Sequence, residues 1–141
     1  MIELNTKQKG NLTEINCISE FIARGINVSI PYGDCARYDF IIDIDNKLYK
    51  IQCKTANEES QGVYKFSCRS CHTRATGNSR RTYNESEIDF FCTYINNQCY
   101  LIPIAEASSN NKTLRFVPTK NLQNVTYATA YELDKQIAKL K

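Results

Sequence analysis

The sequence predicts an α+β fold, a mixed α/β sandwich. A helix-period apolar stripe opens the chain, period-two alternations separated by turn residues fill its middle, and a second amphipathic segment closes it. At 141 residues, with no internal repeat, low-complexity tract or linker, it is expected to form one domain over 1–141 with a substantial core.

Thr6 to Arg24 is expected to form the first helix, stopped by Gly25. Leu12, Ile15, Ile18 and Ile22 would be its inward stripe, with Cys17 and Phe21 beside them. Ile26 to Ile30 reads as a short strand ending at Pro31. After the loop PYGDCA, residues 37–54 (RYDFIIDIDNKLYKIQCK) read as a β-hairpin. Tyr38, Phe40, Ile42 and Ile44 alternate before the turn; Tyr49, Ile51 and Cys53 alternate after it, with Leu48 one step out of phase. A two-residue turn at Asp45-Asn46 sets Asp39 across from Gln52; a turn at Asn46-Lys47 sets it across from Lys54. Either register gathers Asp39, Gln52 and Lys54 on one polar face.

Gly62 to Ser67 reads as another strand, followed by a polar, arginine-bearing segment from Cys68 to Tyr83. Asp89 to Ile95 and Cys99 to Ile104 form a second hairpin around Asn96-Asn97-Gln98. Thr113 to Val117 is the last expected strand, and Tyr131 to Lys141 a terminal amphipathic helix.

A net charge of +3 excludes a global polycation, so an anionic partner must be met by a local patch. No run is long and apolar enough to span a membrane, and MIELNTKQKG lacks a hydrophobic signal segment, so a cytoplasmic location is expected. Seven cysteines in that reducing setting should be free thiols. Cys17, Cys35, Cys53, Cys92 and Cys99 lie in or near apolar patterns, where a thiol acts as a small hydrophobe.

A carboxylate and a lysine held together on rigid strands can bind a hard cation beside a phosphate. By itself, an Asp facing a Lys is often only a cross-strand ion pair. Glu14, at the edge of the helical stripe, could reach the strand ends, although most such glutamates make only local helix contacts. The order of the three pieces is more informative: a helix glutamate, a strand aspartate 25 residues later, then Gln-x-Lys 13 residues on.

That order resembles the PD-(D/E)XK nuclease superfamily. It looks most like the small group I intron-associated homing endonucleases of bacteria, in which glutamine replaces the usual second acid. The matching pieces are NTKQKGNLTEINCISEFIARG, IPYGDCARYDFIID, YKIQCK, EIDFFCTYI and CYLIPI, together covering roughly residues 5 to 118. The resemblance implies a restriction-endonuclease-like αβββαβ core with the first helix packed on a mixed sheet. It implies Asp39 as the metal-binding carboxylate, Glu14 as a supporting acid, Gln52 in the place of the commoner Asp or Glu, and Lys54 as the catalytic lysine. Mg²⁺, for which Mn²⁺ could substitute, would take oxygens from these side chains and from the Cys53 carbonyl. Gln52 adds no charge, which predicts a weaker metal site.

Between Gln61 and Asn84 lie five basic residues, Lys65, Arg69, Arg74, Arg80 and Arg81, and no acidic one. Such a run is commonly a solvated face; beside a nuclease-like hairpin it is expected to contact double-stranded DNA. Arg37, at the mouth of the site, is a further candidate phosphate contact. Cys68-Arg-Ser-Cys71-His72 has the spacing of haem attachment, but no export signal accompanies it, and haem is not expected. Zinc is not expected there either, because Cys92 or Cys99 could complete a ligand set only by a long reach. His72, the sole histidine, fits a DNA-facing or merely exposed residue better than a general base.

The leading expectation is a metal-dependent DNA endonuclease, sequence-selective and leaving 5′-phosphates, working as a homo-oligomer (dimer or tetramer). Its rivals are a Holliday-junction resolvase-like nuclease and a non-catalytic DNA-binding protein on the same scaffold.

Overall fold

The computed structural model describes residues 1–74, 77–118 and 127–141, without the side chains of residues 71–74 and 78. Helix α1 (Thr6–Ala23) begins at a capping box. The Asn5 side chain accepts the Gln8 N–H and the Gln8 side chain accepts the Asn5 N–H, both at 2.9 Å. Gly25, at φ +76°, ends the helix as expected, and the Ile26 N–H turns back to the Phe21 carbonyl.

Strands β1 (Asn27–Ser29), β2 (Phe40–Ile44) and β3 (Lys47–Cys53) follow; a second group comprises β4 (Asn57–Ser60), β5 (Val63–Ser67), β6 (Arg69–Arg74) and β7 (Gly77–Thr82). Then come β8 (Phe90–Ile95), β9 (Gln98–Pro103), β10 (Asn111–Arg115) and helix α2 (Leu133–Leu140), the last preceded by a 3₁₀ turn at Ala128–Tyr131. The main sheet has the order β1-β2-β3-β8-β9, with β3 and β8 parallel and every other pair antiparallel. The link between the parallel neighbours carries β4 to β7, and α2 comes after the last strand. A smaller sheet, β10-β5-β4, and the β6-β7 hairpin complete the fold, an α+β arrangement with an N-terminal helix on a mixed sheet.

Phe40 pairs with Ile51 and Ile44 with Lys47, the register of the Asp45-Asn46 turn. Both turn residues have positive φ, 51° and 67°, which Asp and Asn tolerate in the type I′ turns that suit a right-twisted hairpin. Asn96 and Asn97 repeat the device between β8 and β9, at φ 51° and 63°.

The core divides in two across the main sheet. On one face, Cys17, Ile18 and Phe21 of α1 and Leu133 and Ile137 of α2 pack on Phe40, Ile42, Ile51, Phe90, Cys92 and Leu101. On the other, Phe66 and Leu114 of the small sheet meet Phe91, Ile95, Tyr100 and Ile102. Strands β8 and β9 are therefore covered on both faces. The outer face of β2 and β3 is not part of the second core.

The helical stripe differs from the expectation. Thr13, Cys17, Ile18 and Phe21 are buried, whereas Leu12, Ile15 and Ile22 are 48%, 57% and 59% exposed. The sheet accepts the 13-17-21 row of α1, and the two apolar faces of this helix are nearly opposite each other. Cys35, expected near an apolar pattern, is exposed. Among the described residues no helix is long and apolar enough to cross a membrane.

Candidate active site

Asp39 stands immediately before β2, where the hairpin register carries it beside the end of β3. Its N–H donates to the Ile51 carbonyl, and its Oδ2 accepts the Cys53 N–H, each at 2.8 Å. These two ties fix the carboxylate on both strands at once. The Gln52 amide reaches the Cys53 carbonyl at 3.4 Å, a long contact. Lys54 leaves the end of β3, its N–H donating to the Cys92 carbonyl at 2.9 Å. Its Nζ donates to the Arg69 carbonyl at 2.7 Å and lies 5.4 Å from the centre of the Tyr83 ring.

Glu14 reaches this cluster from α1. Thr13 donates to the Lys9 carbonyl at 3.0 Å, and its Oγ1 meets that of Thr55, also at 3.0 Å. The threonine pair clamps α1 to the chain just past Lys54 and so places the neighbouring Glu14. Burial raises the Glu14 pKa, and the Asp39 charge raises it further. Burial also raises the Asp39 pKa, while the Cys53 N–H and the Lys54 ammonium oppose the rise. Two partly desolvated carboxylates that repel each other are stabilised by a positive ion between them. The donors within this cluster, two carboxylates, the Gln52 amide and the Cys53 carbonyl, are all oxygens, as a hard divalent cation requires. The residues fit such an ion.

Cys53 and Lys54 of the cluster line a groove of about 700 Å³. Among the described residues, Lys9, Lys54, Lys65, Arg69 and Arg80 line it against a single acid, Glu59, so that wall is net cationic. Lys65 pairs with Glu59 at 2.5 Å, and the Arg69 Nε donates to the Ser109 carbonyl at 2.8 Å. Arg80 and Arg81 diverge, as neighbours on a strand must. Arg80 lines the groove, while Arg81 pairs with Glu87 at 3.1 Å.

Arg37 does not extend into the groove. Its guanidinium donates to Glu87 at 2.7 Å, to the Thr82 carbonyl at 2.8 Å and to Ser70 Oγ at 2.5 Å, and lies 4.1 Å over the Tyr83 ring. The Arg37 hydrogen bond, ahead of its charge, lowers the Glu87 pKa. Arg37 therefore fastens the β6-β7 hairpin beside Asp39. The side chains of Arg74, Cys71 and His72 lie outside the described residues. Cys68 belongs to the second core, whereas Cys92 and Cys99 face the first.

The structure thus brings Glu14, Asp39, Gln52, Cys53 and Lys54 together and sets Lys65, Arg69 and Arg80 along the adjoining groove. Lys9, Thr13, Thr55 and Glu87 were not singled out from the sequence. Lys9 and Thr13 share a helical row with Cys17, a spacing that could have flagged them. No local signal marks the contact of Thr13 with Thr55, 42 residues away.

The family model described as PD-(D/E)XK endonuclease matches residues 4–134. Among solved structures, a bacterial homing endonuclease, I-Ssp6803I, superposes with a TM-score of 0.74 over 98% of each chain, at 24% sequence identity. No curated protein matches the chain.

Proposed function

The chain belongs to the PD-(D/E)XK endonuclease family, and from that membership we propose a metal-dependent endonuclease that hydrolyses phosphodiester bonds in double-stranded DNA. The observation that carries the reading is the meeting of Glu14, Asp39 and Lys54, the last of which lines a cationic groove. Glu14, Asp39, the Gln52 amide and the Cys53 carbonyl would hold Mg²⁺, or Mn²⁺ in its place. A divalent cation at such a site makes water more acidic and offsets charge on the phosphate. Lys54, steered by the Arg69 carbonyl, orients the attacking water and steadies the scissile phosphate, and the product keeps its 5′-phosphate. Lys65, Arg69 and Arg80, joined by Lys9, track the backbone as point charges and forks. Arg74 belongs to the same basic run in the sequence. Arg37 acts as a positioning residue through Glu87 and Tyr83.

The superposition on a homing endonuclease supports cleavage at selected sequences rather than at shapes such as four-way junctions. The exposed Leu12, Ile15 and Ile22 of α1 support a homo-oligomer, dimer or tetramer, that would cut both strands. Incubating the purified protein with supercoiled plasmids bearing a library of inserts tests the proposal. Cutting at selected inserts should require Mg²⁺ and stop on chelation. DNA binding without cutting under any divalent cation would favour the non-catalytic binder, and preference for a four-way junction over linear duplex would favour a resolvase.

A further inference from the structure

The strand that carries the candidate active site presents a second kind of donor on its other side. Gln52 and Lys54 face the polar cluster, while the Cys53 side chain, out of phase with both, packs against the first core. There it meets Cys17 from α1 and Cys92 from β8, the three sulfurs lying within 4.8 Å of one another. Cys99 from β9 flanks this trio, its Sγ 3.0 Å from that of Cys92. Four thiols from four separate elements converge in an apolar pocket where Cys17, Cys92 and Cys99 are at most 4% exposed. Apolar packing alone would be served as well by Ala or Val at any of these positions. What four sulfurs offer in addition is ligation. Around a tetrahedral centre with bonds of ~2.3 Å, sulfurs sit ~3.8 Å apart, so the trio already lies near ligand spacing and side-chain rotation of Cys99 would supply the fourth sulfur.

We propose that Cys17, Cys53, Cys92 and Cys99 form a buried thiolate site for a soft, thiophilic cation of the Zn²⁺ class. A tetrahedral all-sulfur set suits zinc and excludes Mg²⁺, which takes oxygen. Each ligating thiol gives its proton to solvent as the ion binds. With the sulfurs buried, the ion enters as the chain folds. Its position has a consequence for the polar face. Cys17 lies three residues after Glu14, the Cys53 N–H holds Asp39, and the Cys92 carbonyl accepts the Lys54 N–H. The bound ion would lock together the three elements that present those side chains. The site itself is independent of the nuclease reading, because its ligands and its stability effect need no DNA.

The test is to refold the full chain with Zn²⁺ or with a chelator, desalt, and measure metal content, thermal unfolding and zinc X-ray absorption. One zinc per chain, a sulfur-only shell at ~2.3 Å and a higher Tm than after chelator refolding are expected. Refolding with Cd²⁺ should give a near-ultraviolet thiolate charge-transfer band. The band should persist in a Cys35→Ser/Cys71→Ser variant, which removes two thiols not among the four, and should be lost in Cys92→Ala and Cys17→Ala variants. Should those variants fail to fold, the wild-type absorption spectrum still decides. Less than half an equivalent of retained metal, a shell of nitrogen or oxygen, or an unchanged Tm would overturn the proposal.

Discussion

The two hairpins of the main sheet are built by the same local rules and end in different roles. Each joins two alternating strands through a two-residue turn of Asp-Asn or Asn-Asn at positive φ. In the β8-β9 hairpin both faces are apolar, Phe90, Cys92 and Leu101 facing the helices, and Phe91, Tyr100 and Ile102 facing the small sheet. In the β2-β3 hairpin one face is apolar, and the other carries Asp39, Lys50, Gln52 and Lys54. The doubly covered hairpin supplies stability, and its rigidity passes across the parallel β3-β8 pairing to the hairpin that bears the polar cluster. A candidate active site is thus built where the second layer of the sandwich stops.

Exchanging damage between the hairpins would break or uphold this contrast. Leu101→Ala, at a site with no exposure, should cost ~2–5 kcal/mol of stability by leaving a cavity, and activity should fall only as the folded fraction falls. Asp39→Ala should do the reverse, abolishing cleavage with the circular dichroism spectrum intact. Plasmid cleavage by folded Asp39→Ala at the wild-type rate would remove Asp39 from the site.

Lys54→Ala comes next in size. If Lys54 steadies the reacting phosphate as proposed, removing its charge should lower the cleavage rate by ~10²–10³-fold. Single-turnover kinetics at saturating protein should show the loss in the chemical step, with DNA affinity little changed. An effect confined to affinity would make Lys54 a groove residue like Lys65.

The polar face should also be stabilised by discharging it. Because the folded-state pKa of Asp39 is raised, its proton favours the folded state. That contribution is complete below the unfolded pKa, near 3.8, and is lost as pH rises through the folded value. In the absence of divalent cations, Asp39→Asn should therefore melt above wild type at pH 7, because it keeps an acceptor for the Cys53 N–H without the buried charge. The advantage should vanish on acidification. Cleavage, which on the proposed mechanism uses the ionised carboxylate, should fall over the same acidic window. An Asp39→Asn variant that melts below wild type at neutral pH would show the carboxylate to be a net stabiliser.

The smallest effect separates Arg80 from Arg81. Replacing groove-lining Arg80 with alanine should make the slope of log K against log salt shallower by ~0.9, one phosphate contact. Arg81→Ala should leave the slope nearly unchanged, since that side chain is paired with Glu87. Equal slopes for the two variants would mean that the β6-β7 hairpin turns over on binding DNA.

Much of this was legible in the chain itself. Period-two alternation and turn residues placed both main hairpins and the register that sets Asp39 by Gln52, because those rules act over a few neighbouring residues. The Glu…Asp…Gln-x-Lys order marks the cluster in the sequence alone. What the tertiary structure decided is which surfaces found partners. Leu12, Ile15 and Ile22 make as good a helical stripe as Thr13, Cys17 and Phe21, and only the shape of the sheet chooses between them. Arg37, a candidate phosphate contact in the sequence, is held by Glu87, 50 residues away. The meeting of Cys17 from the helix with Cys53 and Cys92 from the sheet, with Cys99 beside Cys92, had no counterpart in their spacing. Local chemistry specifies elements and their polar faces; long-range packing selects which face is covered and which charge meets its complement, because those energies depend on residues that only the folded chain brings together.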